Sequence, residues 1–149
     1  MCGFAGFVLD HNPDFDSNQV LQSMIDAISH RGPDDDGIWH DSTETVFFGH
    51  KRLAIMDLSD AGHQPMDSYD CKFTIAFNGE IYNHLDLRHK LKKSLPKNFC
   101  WRGESDTETF ITAISLWGVE EALNSSIGMF AFALWDHQKQ ELILARDRM

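Results

Sequence analysis

The chain has 149 residues, with 13 Lys and Arg against 23 Asp and Glu, so its formal net charge is −10 with the eight histidines neutral. This acidic balance disfavours binding to nucleic acid or to an anionic membrane surface. An apolar content of 42% with 24% charged residues is typical of a globular domain with a core. The sequence lacks an apolar run of the roughly 20 residues that span a membrane, and no basic segment precedes an apolar stretch at its start. We therefore expect a cytoplasmic protein.

Predicted strands and helices are mixed along the chain. Apolar runs and alternating patterns predict strands at 3–9, 45–50, 71–77, 129–135 and 141–145, and a further short strand at 52–56. Apolar residues at helical spacing predict helices at 18–28, at 84–94 and from residue 106 onward. Because the strands can pair as hairpins, this mixture predicts an α+β fold with antiparallel sheets.

Three short motifs are expected to form turns or caps. The Gly- and Pro-containing segment 30–37 predicts a loop. Asn78 and Gly79 are expected to end the strand 71–77, because both residues tolerate positive φ. Ser105 and Glu108 have the spacing of a capping box, in which Ser105 is the N-cap and Glu108 bonds back to it.

Metal and phosphate sites are not expected. Cys2, Cys71 and Cys100 are widely spaced and odd in number, so they do not form a disulfide framework, and no cysteine pair has zinc spacing. The acidic run 34–36 lacks the alternating ligands of an EF-hand loop and is expected to be solvated. A phosphate-binding glycine loop is also missing from the sequence, so no cofactor is expected in this segment.

Cys2 is the candidate nucleophile because of its position. Removal of Met1 would make it the first residue, with a thiol and a free α-amine on one Cα. An exposed α-amine has a pKa of about 7.7–8.0, which suits a general base. A thiol needs such a base because only a few per cent of it is thiolate at pH 7. The alternative is a small buried residue near the chain end.

Four further residues have the chemistry that attack on an amide requires. The Asn78 side chain and the Gly79 N–H could stabilise an oxyanion, although Asn-Gly is also a common turn. Arg52 could hold a carboxylate with two hydrogen bonds, or form a surface ion pair. Asp106, in the first turn of a predicted helix, could receive an ammonium group or only stabilise the helix end.

Taken together, these residues resemble the class II, N-terminal-nucleophile glutamine amidotransferase domain, in its asparagine synthetase-like branch. The matching motifs occur in family order across nearly the whole chain: MCG at 1–3, HRGPD at 30–34, RLAIMD at 52–57, QPM at 64–66, FNGEIYN at 77–83, SDTE at 105–108, GMFAFA at 128–133 and ARDR at 145–148. Leu53 favours this branch, because the phosphoribosyl-diphosphate and fructose-6-phosphate amidotransferases usually carry a tryptophan there.

The resemblance implies a fold and a reaction. The implied fold is a four-layer αββα sandwich of two antiparallel sheets, and the implied reaction is hydrolysis of L-glutamine to glutamate and ammonia. Cys2 would attack the side-chain amide, and Asn78 with Gly79 would form the oxyanion hole. Arg52 would bind the α-carboxylate of glutamine, and Asp106 would bind its α-ammonium together with Glu80 and the backbone of Gly79. Leu53 and Ile55 would line the pocket, and Arg31 would support the nucleophile.

The resemblance also implies a longer protein. Residues 1–149 would be a C-terminally truncated glutaminase domain, followed in the family by a synthetase domain that uses ATP and Mg²⁺ and receives the ammonia. The absent domain chooses the acceptor, so amidation of another carboxylate, such as a sugar acid, stays open. Two other functions stay open: a non-catalytic glutamine sensor or scaffold, and an N-terminal-nucleophile acylase of other specificity. The oligomeric state, including a possible homodimer, is also open.

Overall fold

The computed structural model describes residues 2–10, 13–55 and 57–148, which form two antiparallel sheets flanked by helices. The strands within these ranges are Gly3–Val8 (β1), Asp35–His40 (β2), Val46–Arg52 (β3), Met66–Asp67 (β4), Phe73–Ile81 (β5), Gly128–Asp136 (β6) and Glu141–Arg146 (β7). The α-helices are Ser17–Ala27 (α1), His84–Leu91 (α2), Asp106–Trp117 (α3) and Val119–Ser125 (α4). Within the described ranges, none of the helices has the length and apolar character of a membrane span.

The elements stack in four layers. One sheet has the strand order β1-β3-β2 and the other β4-β5-β6-β7. Helix α1 packs on the first sheet, where Ile25 lies against Gly49, and α3 packs on the second. The inner faces of the sheets meet in an apolar cluster of Val46, Phe48, Ala76, Ala133 and Trp135. The expected αββα sandwich is therefore confirmed.

Strand β6 contributes side chains to both cores of the sandwich. Its large side chains Phe132 and Leu134 point into the core under the helices, where Phe132 packs edge-to-face on Phe110 of α3. On the opposite face, the small residue Ala133 lies between the sheets. Alternation along one strand thus fills the helix-facing core with large side chains, and places Ala133 and Trp135 between the sheets.

The expected strand end at Asn78-Gly79 is wrong. Strand β5 continues to Ile81, and Asn78 and Gly79 pair with Ala131 and Phe130 of β6. The hydrogen-bonded ladder with β6 overrides the local turn preference of Asn-Gly, because each residue in the ladder keeps its backbone bonds. As a result, both residues lie inside a strand.

The segment 30–37 is not a continuous loop. It contains a short 3-10 helix, Ser29–Arg31, and the first residues of β2. Asp35 and Asp36, expected to be solvated, lie in register with Arg52 and Lys51 of β3. Opposite charges across a strand pair stabilise the pairing, which explains why this acidic run forms a strand.

Two other predicted elements differ at their ends. The strand predicted at 52–56 is not formed in the described residues, because β3 ends at Arg52 and the chain turns at Leu53. Met56 lies outside the described residues. The helix predicted at 84–94 ends at Leu91. In the first case a predicted strand is absent from the described part of the chain, and in the second a predicted helix is shortened.

The capping prediction at the start of α3 is half correct. The Ser105 hydroxyl accepts a hydrogen bond from the Thr107 N–H, so Ser105 is the N-cap. The Glu108 carboxylate does not bond back to Ser105; it accepts from the N–H groups of Arg102 (2.8 Å) and Gly103 (3.1 Å). Glu108 therefore holds the loop before the helix.

Candidate active site

A pocket of about 140 Å³ lies where β3 ends and where β5 extends beyond the short strand β4. Its wall combines the end of β3, the second half of β5 and the first turn of α3. The lining residues are Cys2, Arg52, Leu53, Ile55, Asp57, Gly62, Gln64, Phe77, Gly79, Glu80, Ser105, Asp106, Thr107 and Met129. The pocket therefore collects segments that are distant in sequence.

The Cys2 thiol is held against the residue that follows Arg52. The Leu53 N–H donates to Cys2 Sγ at 3.3 Å, and the thiol lies 3.7 Å from the Leu53 carbonyl oxygen. Arg31 Nε donates to the Cys2 carbonyl oxygen at 3.4 Å. Arg31 thus contacts the backbone of Cys2 and does not line the pocket. Met1 lies outside the described residues.

Strand β5 presents an unusual backbone edge to the pocket. Alternate N–H groups of an antiparallel strand face the same side, so those of Phe77, Gly79 and Ile81 point away from β6. Phe77 N–H donates to Gln64 Oε1 (2.6 Å), and Ile81 N–H donates to Asp106 Oδ2 (2.8 Å). The Gly79 N–H between them has no side-chain acceptor among the described residues and borders the pocket. We call the backbone groups of residues 77–81 on this side the open edge of β5.

Gly79 is required at its position by the approach of the neighbouring strand. A Cβ atom built on Gly79 would lie 2.2 Å from the Met129 carbonyl oxygen and 2.5 Å from Phe130 Cα. Any side chain at this position would therefore push β5 and β6 apart. The glycine also leaves its N–H accessible to a ligand in the pocket.

Asn78 points to the other face of the strand. By the period-2 alternation its side chain shares a face with Ala76, which lies between the sheets. Asn78 is half-buried and is not part of the pocket wall. Its Oδ1 is buried and has no hydrogen-bond partner among the described residues. The structure thus places Asn78 beside the pocket, between the sheets.

Arg52 contributes a fixed positive charge. Its guanidinium donates from Nη1 to the Ser59 carbonyl oxygen (3.0 Å) and from Nη2 to that of Asp57, and it lies 3.9 Å from the Asp35 carboxylate. A Cβ atom at Gly62 would lie 2.0 Å from Nη2, so the glycine makes room for the group. The loop after β3 therefore orients the guanidinium.

Asp106 contributes a negative charge in the same pocket. It is the first residue of α3 and is buried, and its two oxygens accept from the N–H groups of Ile81 and Thr107 at 2.8 Å each. Burial raises the pKa of its carboxyl above the ordinary value of 3.8, and the nearby Glu80 acts in the same direction, against those backbone hydrogen bonds. No lysine or arginine in the described part of the chain forms an ion pair with Asp106. An ammonium group in the pocket would relieve this cost.

The other predicted site residues also lie at the pocket. Leu53, Ile55 and Glu80 belong to its wall, and 70% of Ile55 is exposed. The remaining wall residues have no site role in the sequence-based prediction. Among them, Gly62 and Gln64 could not have been found, because a Gly in a loop and a Gln before a proline carry no chemical signal on their own. Within the described ranges, no group of three metal-binding side chains is arranged to hold an ion.

The chemistry of the pocket follows from these groups. It offers a thiol, a backbone N–H without an acceptor among the described residues, one guanidinium and the carboxyl groups of Asp57, Glu80 and Asp106. A ligand with a carboxylate and an ammonium at one end would satisfy both charges, and its other end could then meet the thiol. Such a site suits a free amino acid whose side chain contains a carbonyl group.

Comparison with known proteins gives consistent matches. The profile of the family described as "Glutamine amidotransferase domain" matches residues 1–149. Asparagine synthetase [glutamine-hydrolyzing] 1 of Bacillus subtilis is 40% identical over 150 residues, which cover 99% of this chain and 22% of that protein. Amidase chry2 of Gibberella zeae is 36% identical over 157 residues, covering 99% of this chain and 23% of that protein. The chain thus spans about a fifth of the length of these relatives.

A solved structure shares the fold. The glutamine phosphoribosylpyrophosphate amidotransferase of B. subtilis superimposes with a TM-score of 0.72 at 19% sequence identity, covering 98% of this chain and 36% of that one. That likeness agrees with the αββα layers found here. With a family profile matched from end to end, the chain belongs to the glutamine amidotransferase domain family.

Proposed function

We propose that this chain hydrolyses the side-chain amide of L-glutamine to glutamate and ammonia. The observation that carries the proposal is a single pocket bordered by the Cys2 thiol, the Gly79 N–H and the opposite charges of Arg52 and Asp106. Membership of the glutamine amidotransferase domain family supports the same substrate.

In the proposed complex, the α-carboxylate of glutamine binds Arg52 and its α-ammonium binds Asp106, with Glu80 adding negative charge at the pocket rim. A guanidinium has five N–H donors, and the two bonds to the loop carbonyls leave others for a carboxylate. Leu53 and Ile55 line the pocket along the side chain of glutamine. Fixing both charges places the δ-carbonyl near the thiol and removes much of the entropic barrier.

The proposed reaction begins once Met1 is removed. The Cys2 thiol transfers its proton to the freed α-amine, through a water molecule, and the thiolate attacks Cδ of glutamine. The Gly79 N–H at the pocket wall stabilises the tetrahedral oxyanion. The side-chain amide of Asn78, which lies beside the pocket between the sheets, is the proposed second donor. The protonated α-amine of Cys2 then gives its proton to the leaving nitrogen of glutamine. Ammonia departs, and a glutamyl thioester on Cys2 remains. Water, deprotonated by the same amine, then releases glutamate and restores the thiol.

For the natural protein, we infer that the ammonia is passed to a following ATP-dependent domain similar to that of asparagine synthetases. Relatives named asparagine synthetase support this, since they are over four times as long as the part that this chain matches. Other relatives of similar identity are named amidases and not asparagine synthetases, so the comparisons do not single out one acceptor. Amidation of a different carboxylate is therefore the alternative. ATP and Mg²⁺ would act in that following domain.

Replacement of Cys2 tests the proposal. Cys2→Ala should abolish measurable glutamate release, because no other group of the pocket wall replaces the nucleophile. Binding of glutamine, measured by calorimetry, should persist, since Arg52 and Asp106 are unchanged. Unchanged glutamate release in Cys2→Ala would refute the proposal.

The N-terminus separates an enzyme from a scaffold. Intact-mass analysis of the natural protein should find Met1 removed. A retained Met1, in a protein that binds glutamine without hydrolysing it, would favour a non-catalytic glutamine sensor or scaffold, because the base would then be a peptide nitrogen.

A further inference from the structure

A buried histidine outside the pocket contacts the open edge of β5. His50 lies on β3, in the other sheet, and is 0% exposed. Its Nε2 lies 2.9 Å from the Phe77 carbonyl oxygen, while Gln64 Oε1 accepts from the Phe77 N–H at 2.6 Å. The carbonyl oxygen and the N–H of Phe77 are thus both hydrogen-bonded by side chains from outside β5.

The protonation state of His50 follows from its partner. A carbonyl oxygen only accepts, so Nε2 carries the hydrogen and donates it. The other nitrogen, Nδ1, is buried and has no hydrogen-bond partner among the described residues. Burial lowers the pKa of the ring from 6.5 to about 4, so the imidazole is neutral at neutral pH. His50 therefore acts as a fixed donor.

Packing alone does not account for this residue. A buried acceptor without a partner costs about 1–3 kcal/mol, and an apolar side chain between two apolar sheets would avoid that cost. What a histidine adds is the bond to Phe77. The strand β4 ends opposite Ile75, so it cannot supply this bond itself.

The bond acts on the reaction centre through the backbone. The N–H groups of Phe77 and Gly79 point to the same edge, two residues apart. Holding the carbonyl of Phe77 fixes the Phe77–Asn78 peptide plane. The Gly79 N–H belongs to the next peptide plane, which is joined to the first at Asn78, so the bond restricts how far that N–H can turn. We propose that His50, together with Gln64 on the other side of Phe77, is a positioning residue for the oxyanion hole; this rests on the proposed function.

Loss of the donor should slow the chemical step more than it weakens binding. Misplacement of a reacting group by about 1 Å can cost roughly 10²-fold in rate, so we expect His50→Leu to lower kcat roughly 10- to 100-fold. KM for glutamine should change less than about threefold, because Arg52 and Asp106 are not displaced. His50→Gln, whose amide N–H can reach the same carbonyl, should recover most of kcat.

The control comes from the other half of the strand. Thr74 is equally buried on β5, and its hydroxyl bonds to Asp67 and His137. Thr74→Val should destabilise the fold to a similar extent and leave kcat unchanged. Glutamate release would be followed for all variants at a temperature where circular dichroism shows each to be folded.

Several outcomes would overturn the inference. One is a folded His50→Leu variant with kcat within twofold of the parent; another is equal impairment of His50→Leu and His50→Gln. If His50→Leu does not fold, Gln64→Met takes its place in the test. Gln64 lies in a loop, and its replacement removes the acceptor of the Phe77 N–H. An unchanged kcat in Gln64→Met would contradict the proposal. Activity retained in Cys2→Ala would instead show that the proposed function is wrong.

Discussion

In the first half of β5 the backbone edge is covered by another strand, whereas in the second half it is bonded by side chains or faces the pocket. Thr74 and Ile75 pair with Asp67 and Met66 of β4. From Phe77 onward, no strand lies on that side in the described part of the chain. Both halves remain paired with β6 on the opposite edge, without a change of register.

The difference explains how a regular sheet can hold a reactive site. In a covered edge every N–H is used in the ladder, so the strand is stable and chemically inert. In the open edge of β5, Gln64 and Asp106 bond the N–H groups on either side of Gly79. The N–H in the middle is held rigidly and is available to a ligand, as an oxyanion donor must be.

The largest expected effect comes from displacing the Gly79 N–H at the centre of the open edge. Gly79→Ala places a Cβ 2.2 Å from the Met129 carbonyl oxygen, which must shift the strand and its N–H. Loss of one oxyanion donor typically lowers kcat roughly 10²–10³-fold, and we expect a loss of that size. Steady-state glutamate release would measure it; a kcat within tenfold of the parent would contradict the role of the open edge.

Acid should weaken the fold through His50, the residue that joins the open edge to the other sheet. The native ring protonates only near pH 4, whereas the unfolded ring protonates near 6.5. The unfolded state therefore binds one more proton between these values, and the free energy of unfolding falls as pH falls from 6.5 to 4. The full loss from this group is about 3 kcal/mol.

Urea unfolding at several pH values would test that contribution. The charged or titratable groups that act on the ring are Asp35, His63 and Arg52. His50→Gln removes the titrating group and keeps the donor, so its free energy of unfolding should depend less steeply on pH over the same range. Identical pH profiles for the parent and His50→Gln would show that His50 is not the source.

Removal of the charge at the end of the open edge should weaken substrate binding. Asp106→Asn loses the buried carboxylate proposed to receive the ammonium group, at a cost of about 2 kcal/mol or more, which is roughly 30-fold in KM. Glu80→Gln is the matched control, because Glu80 is exposed and should change KM less than about threefold. Equal effects of the two substitutions on KM would argue against a special role for Asp106.

The smallest effect is expected in the covered half. Ala76→Gly loosens a strand interior and costs about 1 kcal/mol, which lowers the melting temperature by about 3 °C in a domain of this size. Because Ala76 lies between the sheets and not at the pocket, kcat should not change. A reduced kcat in this variant would mean that the two halves of β5 are coupled.

Local patterns in the sequence were sufficient for much of the fold. The alternation of Phe130, Phe132 and Leu134 with Ala131 and Ala133 predicts the strand β6 and its two unequal faces, because side chains alternate with period 2. Ser105 likewise predicts the start of α3, since an N-cap is a short-range interaction. The motifs around Cys2, Arg52 and Asp106 single out residues that the fold brings to one pocket.

The tertiary structure decided which edge of β5 is open. That depends on where β4, a segment distant in sequence, stops pairing, and no local pattern around Asn78-Gly79 contains this information. The same holds for Glu108, which bonds to the preceding loop, and for His50, whose acceptor lies in the other sheet. Periodicity and caps are short-range and can be read from neighbouring residues. Contacts between sheets depend on the packing of the whole chain, and so they appear only in the folded protein.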